Sequence, residues 1–188
     1  MMNFEQRRRF LWVLLLIGLA LITTVAKSTT YSGLSFTDLA QQSTAIARLR
    51  CLSSESKWQN GEIWTETRFE VIESNKGTLP RMLGVQMIGG LVGPLHSRVD
   101  GVPVFRTGEE VYLFLWVAPD GGYRVLGWQQ GTFRIHRGDP DGAEQVTQDS
   151  AAASIFNPRT KQFRRVRNLP IAIFRLKLRK ALRQEPIE

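Results

Sequence analysis

Alternation of apolar and polar positions dominates the middle of this chain. Between Thr44 and Cys51, Ala45, Ala47, Leu49 and Cys51 share one face while Arg48 and Arg50 take the other, the pattern of a strand with one wet face. The clearest signal follows. Ile63, Thr65, Thr67, Phe69 and Val71 point one way and Glu66, Arg68 and Glu70 the other, with Trp64 and Ile72 at the two ends of that second face. Asn60-Gly61 before it is a tight-turn dipeptide, and Lys76-Gly77 ends it. Met82 to Ile88 predicts a third, more central strand closed by Gly89-Gly90. Glu110 to Val117, apolar on both faces, predicts a strand buried on both sides. Asp120-Gly121-Gly122 turns the chain into Tyr123 to Gln129, Gly131 breaks that strand, and Thr132 to His136 resumes. A turn at Asp139 to Gly142 then leads to a short strand around Gln145 to Thr147. Six or seven strands at this spacing predict a mainly β fold, either a small antiparallel barrel or a sandwich.

Helical signals flank the strands. Ser35-Phe36-Thr37-Asp38 has the form of a capping box and predicts a short helix through Leu39 to Gln42. Near the other end, Pro170 suits the first turn of a helix whose apolar stripe is Ile171, Phe174, Leu178 and Leu182. Arg175, Arg179 and Arg183 run beside that stripe and Leu176 falls off it. Phe174 to Arg179 also alternates, so a strand is the second reading of this segment. At the N-terminus, Arg7, Arg8 and Arg9 precede Phe10 to Ala26, an uncharged run of 17 residues. As a helix this run spans about 25 Å, between a signal-peptide core and a full membrane span. It predicts either a signal peptide cleaved after Thr24-Val25-Ala26 or an uncleaved anchor, with the arginines cytoplasmic and the remainder exported. Arg7-Arg8-Arg9-Phe10-Leu11 also fits a twin-arginine pattern, although Gln6 and Trp12 beside it do not. The expected organisation is therefore a signal or anchor over 1–27, a linker over 28–34, a β domain over 35–150 and a basic tail over 151–188.

The formal charge of +8 belongs to the two ends. Residues 28–150 hold 11 Lys/Arg against 14 Asp/Glu, a balance of −3, whereas residues 151–188 hold 10 against 2, a balance of +8. A mildly acidic body gives no reason to expect nucleic acid as a partner. The tail is different. Its cations, among them Arg164, Arg165, Arg167, Arg175, Lys177 and Arg179, interleave with apolar residues. They suit either anionic lipid, at about 1 kcal/mol per cation near a charged surface, or a helix docked on the acidic body with a solvated positive face.

Candidate chemistry is sparse. Cys51 is the single cysteine, so no internal disulfide forms and paired-cysteine zinc sites are excluded. It reads as a small buried hydrophobe, or else as a reactive or intermolecular thiol. Gly89 to Gly108 carries five glycines, two prolines and His96 between two strands. A phosphate cradle needs a helix after its glycines, and here another strand follows, so nucleotide binding is rejected. Architecture is the first reading of this connection and ligand binding the second, since long connections without structure of their own are often functional. His96 and His136 lie too far apart for a ligand pair, and no nucleophile motif accompanies either. Glu109 and Glu110 point to opposite faces and do not act as an acid–base pair; one is expected to be solvated and the other to cap the loop. Trp58, Trp64, Trp116, Trp128, Tyr112 and Tyr123 suit core and rim positions or a stacking platform. No cofactor and no metal set is expected.

The order of landmarks carries a resemblance. Asp38-Leu39-Ala40, the strand Ala45 to Arg50, Ser56-Lys57-Trp58, Ile63-x-Thr65, Val71, Lys76-Gly77 and Gly89-Gly90-x-x-Gly93 come first. Gly101-x-Pro103-x-Phe105, Gly108-Glu109-Glu110, Leu113-Phe114-Leu115, Gly127 and Gln130-Gly131-x-Phe133 follow. Over about residues 36–136 this resembles a family of exported, uncharacterised bacterial proteins. More remotely, Val71 to Gly77 (Val-x-x-x-x-Lys-Gly) and Gly108-Glu109-Glu110-x-Tyr112-Leu113 are similar to the netrin/TIMP-type OB barrel, which implies an OB-like fold. That barrel normally carries disulfides, which this chain lacks, so inhibitor activity does not carry over. The expected function is that of an exported, non-enzymatic envelope protein that binds a protein or an envelope polymer. Contact candidates are Trp58, Gly89, Gly90, Gly93, His96 and Trp128. The alternatives are a hydrolase using His96 and a structural or secretion-linked accessory.

Overall fold

The computed structural model describes Glu5 and residues 33–138, 142–149 and 166–183. Glu5 belongs to an N-terminal unit, Met1–Thr30, and everything below concerns the second, Tyr31–Glu188. The expected apolar helix over 10–26, the cleavage site and most of the linker fall outside the described residues. Among the described residues no helix is long and apolar enough to cross a membrane.

The chain enters through helix α1 (Phe36–Gln42), closed by the expected capping box. Asp38 N donates to Ser35 Oγ at 3.1 Å and Ser35 N to Asp38 Oδ2 at 3.0 Å. Strands β1 (Ala45–Gln59) and β2 (Glu62–Lys76) form a long antiparallel hairpin. Its turn places Asn60 and Gly61 at φ 51° and 82°, the left-handed pair that a twisted two-residue hairpin needs. Strand β3 (Met82–Ile88) follows, then a short hairpin of β4 (Gly90–Val92) and β5 (Leu95–Ser97). Strands β6 (Glu110–Val117), β7 (Tyr123–Val125), β8 (Thr132–Arg137), β9 (Glu144–Gln148) and β10 (Leu169–Pro170) come next, and helix α2 (Ile171–Arg183) ends the described chain.

Eight strands form one sheet in the order β1-β2-β3-β7-β6-β8-β9-β10, and a further pairing of β1 with β6 closes a ring through β1, β2, β3, β7 and β6. The expectation of a wholly antiparallel sheet needs correction. A closed ring with an odd number of strands cannot alternate direction all the way round, and the one parallel neighbour pair is β3 with β7, at Val85 and Tyr123. The sheet holds eight strands where six or seven are expected, because β10 pairs beside β9, and β1 is longer than expected, continuing seven polar-rich positions past Leu52. Tyr123 to Gln129 is not one strand: it bends after Val125 into a 3-10 turn at Trp128–Gln130.

Strand β6 explains why there are two cores. Val111, Leu113 and Leu115 face into the ring, with Ala47, Leu49, Phe69 and Val85. Tyr112 and Phe114 face outward into a second core with Leu39, Ile46, Phe133 and Phe174. Strand β6 is therefore buried on both sides, as its composition predicts. The rings of Phe36, Phe114, Phe133 and Phe174 meet at centroid distances of 5.0–5.7 Å, an edge-rich arrangement suited to their quadrupoles.

The second reading of the tail, a strand, is not what forms. Residues 171–183 are helical, Phe174, Leu178 and Ala181 are buried, and Leu176 is left out at 57% exposure. The wet face expected for Arg48 and Arg50 also needs correction. Arg48 is clamped between Glu110 and Glu144, and Arg50 pairs with Glu110 and Glu70. The second core covers this face of β1 at Ile46; Arg48 beside it is largely buried and paired, whereas Arg50, also paired, keeps 44% of its side chain exposed.

Candidate functional site

The connection from β3 to β6 is built by glycine geometry. Gly89 sits at φ 93°, donates to Ile63 O at 2.7 Å, and a Cβ there would lie 2.8 Å from Ser97 O. At Gly90, with φ 139°, a Cβ would lie 2.3 Å from both Ser56 Oγ and Thr65 Oγ1. The backbone thus lies directly on two hydroxyls, which only glycine permits. Gly93-Pro94 then turns β4 into β5, with Leu91 opposite His96. This is a correction: the connection has secondary structure of its own.

The return segment is pinned at several points. Gln129 N donates to Gly101 O at 3.0 Å and the Arg134 guanidinium to Val104 O at 3.0 Å. Phe105 is buried edge-on against Phe69 at 5.1 Å. Arg134 also holds Glu109 and Asp149, and these partners keep its pKa raised although burial opposes the charge. Arg106 N donates to Glu109 Oε2 at 3.1 Å, so Glu109 is the glutamate that caps the loop. Glu110, the other member of the pair, is bound by Arg48 and Arg50 rather than solvated.

Between this connection and the strands lies a cleft of about 450 Å³. Its floor is polar. Ser54 and Thr67 share a hydrogen bond at 2.9 Å, Ser56 and Thr65 another at 2.8 Å, and Thr65 donates to Gly89 O at 2.6 Å. Its walls are apolar, with Met87, Val102, Pro103 and Phe105, and its lip carries Leu91 and Val104, 61% and 77% exposed. Arg98 and His96 are the ionisable residues of the lining, which contains no carboxylate. A hydroxyl floor, an aliphatic wall and a cation make a surface for binding.

Three sequence candidates line this cleft: Gly89, Gly90 and His96. The structure does not bring the others there. Gly93 sits at the hairpin turn with open space around it. Trp58 stands 52% exposed near the tip of the β1–β2 hairpin, opposite Ile63. Trp128, at φ 51°, packs beside Gly101. Trp64 lies under the Arg124 guanidinium at 5.2 Å, so the indoles form no shared platform. Among the described residues no hydrogen bond joins His96 to a serine or a carboxylate, and no group of three His, Cys, Asp or Glu is close enough to hold a metal ion. Cys51 is buried in the ring core and burial pushes its thiol up, away from the reactive thiolate.

Of the tail candidates, Arg164 and Arg165 fall outside the described residues. Arg175 is tied to the body: it donates to Tyr112 Oη at 3.1 Å and to Glu73 at 2.6 Å. The Lys177 ammonium lies 4.8 Å from the Phe36 ring centroid. Arg167 is exposed before β10, and Arg179 is exposed on the outer side of α2. Sequence reasoning missed Ser54, Ser56, Thr65, Thr67 and Arg98. The available signal was a pair of threonines on the inward face of β2, where aliphatic residues are expected. Comparison with protein-family models, with curated proteins and with solved structures gives no match.

Proposed function

We propose that this chain is an exported, non-enzymatic binding module of the bacterial envelope, a small OB-like barrel that holds part of a protein or envelope polymer in the cleft beneath residues 89–105. The observation that carries the reading is the cleft itself: paired hydroxyls below, an exposed aliphatic lip above, and Arg98 at the edge. An isolated protein has little reason to leave Leu91 and Val104 more than half exposed around one concavity.

The OB-like assignment draws support from the ring order β1-β2-β3-β7-β6 and its single parallel step. The landmarks of the resemblance to exported bacterial proteins fall at structured points of this chain. Gly89-Gly90 lies on the cleft floor, Gly108-Glu109-Glu110 closes the loop on Cys51 and Arg134, and Gln130 holds Leu34 N at 2.8 Å. Export rests on Arg7 to Arg9 followed by the uncharged run Phe10 to Ala26, either cleaved or kept as an inner-membrane tether.

Retention on isolated cell-wall and membrane fractions tests this reading. The full chain should be retained, and a chain carrying Leu91→Glu and Val104→Glu, both at exposed positions, should not. Equal retention of the two would overturn the proposal. The N-terminal residue, read by mass spectrometry in soluble and membrane fractions, should place the product outside the cytoplasm; an intact Met1 in the cytosol would contradict it.

A further inference from the structure

The occupant of the cleft can be named by its chemistry, and this step rests on the cleft being the binding site. A free sheet edge is the first observation. Strand β1 runs from Ala45 to Gln59, yet β6 pairs only with Ala45–Arg50. The chain before β6 follows β1 no further than Cys51, where Cys51 N donates to Glu109 O at 2.9 Å and Gly108 N to Cys51 O at 2.8 Å. There it departs, because Phe105 turns inward on to Phe69. Among the described residues no strand pairs with residues 53–59 on the side away from β2, and the neighbouring β4 reaches this stretch through Leu91 N, which donates to Ser56 Oγ at 3.3 Å. The ring is complete at one end and short of a strand at the other, and the unpaired stretch is the one that contributes Ser54 and Ser56 to the cleft.

The lining supplies the second observation. Its apolar groups are chiefly aliphatic, and the tryptophans lie outside it. Sugar rings are normally held by an open aromatic face with carboxylates and amides around it; here the one aromatic, Phe105, is buried and no carboxylate, Asn or Gln is present. Charge is the third. Arg98 and His96 face no acid of the lining, and among the described residues Arg98, like the exposed Arg68, Arg81 and Arg106, has no carboxylate partner; Arg98 is the one of these that lines the cleft.

We infer that the cleft takes an extended polypeptide segment of another protein, added as a strand along residues 53–59, with aliphatic side chains at alternate positions against the wall of Met87, Val102 and Pro103 and a carboxylate against Arg98. Strand addition satisfies the open backbone edge, and the two-residue period of a strand sends every second side chain to one face. Arginine offers the carboxylate a bidentate, charge-assisted contact.

The test is selection of the full chain against a random octapeptide library displayed with free C-termini, followed by calorimetry on the enriched peptides. Octanoate and a chitin oligosaccharide are titrated in parallel while the amide resonances of residues 53–59 and 89–105 are followed. Peptides aliphatic at alternate positions with an acid beside them should be enriched. N-methylation at alternate amides should abolish binding on one register only, and Arg98→Gln, at an exposed position, should weaken it about tenfold. Enrichment of basic or aromatic peptides, or affinity indifferent to both N-methylation and Arg98→Gln, overturns the inference. If octanoate or the oligosaccharide shifts the cleft resonances and no peptide does, the cleft remains a binding site and the polypeptide assignment is wrong. If nothing shifts them, both readings fall.

Discussion

Gly90 is the most constrained position on the cleft floor, and Gly93, three residues on, is a useful contrast. An alanine at 90 meets two hydroxyl oxygens at 2.3 Å in a backbone conformation at φ 139°, whereas at 93 it meets nothing within 4 Å and carries only the left-handed φ of 57°. Gly90→Ala should cost about 2–4 kcal/mol and Gly93→Ala about 1–2 kcal/mol in urea denaturation. Equal losses would mean that Gly90 is not packed on Ser56 and Thr65. Glu110 supplies a pH dependence. Burial alone would raise its pKa, but hydrogen bonds from Arg50 and Arg48 outweigh that and hold it below the ordinary glutamate range. The folded state therefore binds the proton more weakly than the unfolded chain. The stabilisation is fully present above the ordinary glutamate range and is lost as pH falls through the lowered folded value. Glu110→Gln should cost about 1–3 kcal/mol at neutral pH and flatten the acid limb of a stability–pH curve; an unchanged acid limb would count against the clamp. Little of this was legible from residue types alone. The glycine doublet marked a special backbone, but the two hydroxyls that require glycine at 90, those of Ser56 and Thr65, come from two strands whose register only folding reveals.

Among the elements, those with strong periodicity were the readable ones. The Met82 and Glu110 strands and the capped helix stand where the apolar pattern and the turn residues put them, because each has five or more positions in which a pattern can show, and the hairpin turn is fixed by its own two residues, Asn60 and Gly61. The second half of β1 was hidden by its composition: Ser53 to Lys57 has almost no apolar member, since its inward face lines a cleft instead of a core. β4 and β5 were hidden by length, three residues each. Helix α2 had two readings because its residues alternate as well as repeat. Its apolar stripe decides the matter by docking on Tyr112, Phe114 and Phe133. The outer side of α2 keeps Arg179, Lys180 and Arg183 exposed beside Ile173 and Leu176, which are 50% and 57% exposed. That mixture of cations and apolar groups suits an anionic membrane surface. Reversing the three cations to glutamate should reduce co-sedimentation with vesicles rich in anionic lipid by at least tenfold at physiological salt, without effect on neutral vesicles. Unchanged sedimentation would assign α2 a purely structural role.

At the scale of the whole molecule, a closed ring carries a second core that ties both helices to its outside, and one end of the ring is short of a strand. Closure through five strands protects most edges of the ring from unwanted pairing, and residues 53–59 of β1 leave an open edge beside the cleft. The export expectation gives that edge a setting in which a partner protein of the envelope is the natural occupant. Photo-crosslinking in intact host cells tests this most directly. A benzophenone amino acid is placed at Val104, 77% exposed on the cleft lip, and in a second chain at Met82, 67% exposed at the other end of β3. The account predicts a discrete extracytoplasmic protein adduct from position 104 and none from position 82. No adduct from 104, or the same adduct from both positions, would contradict it.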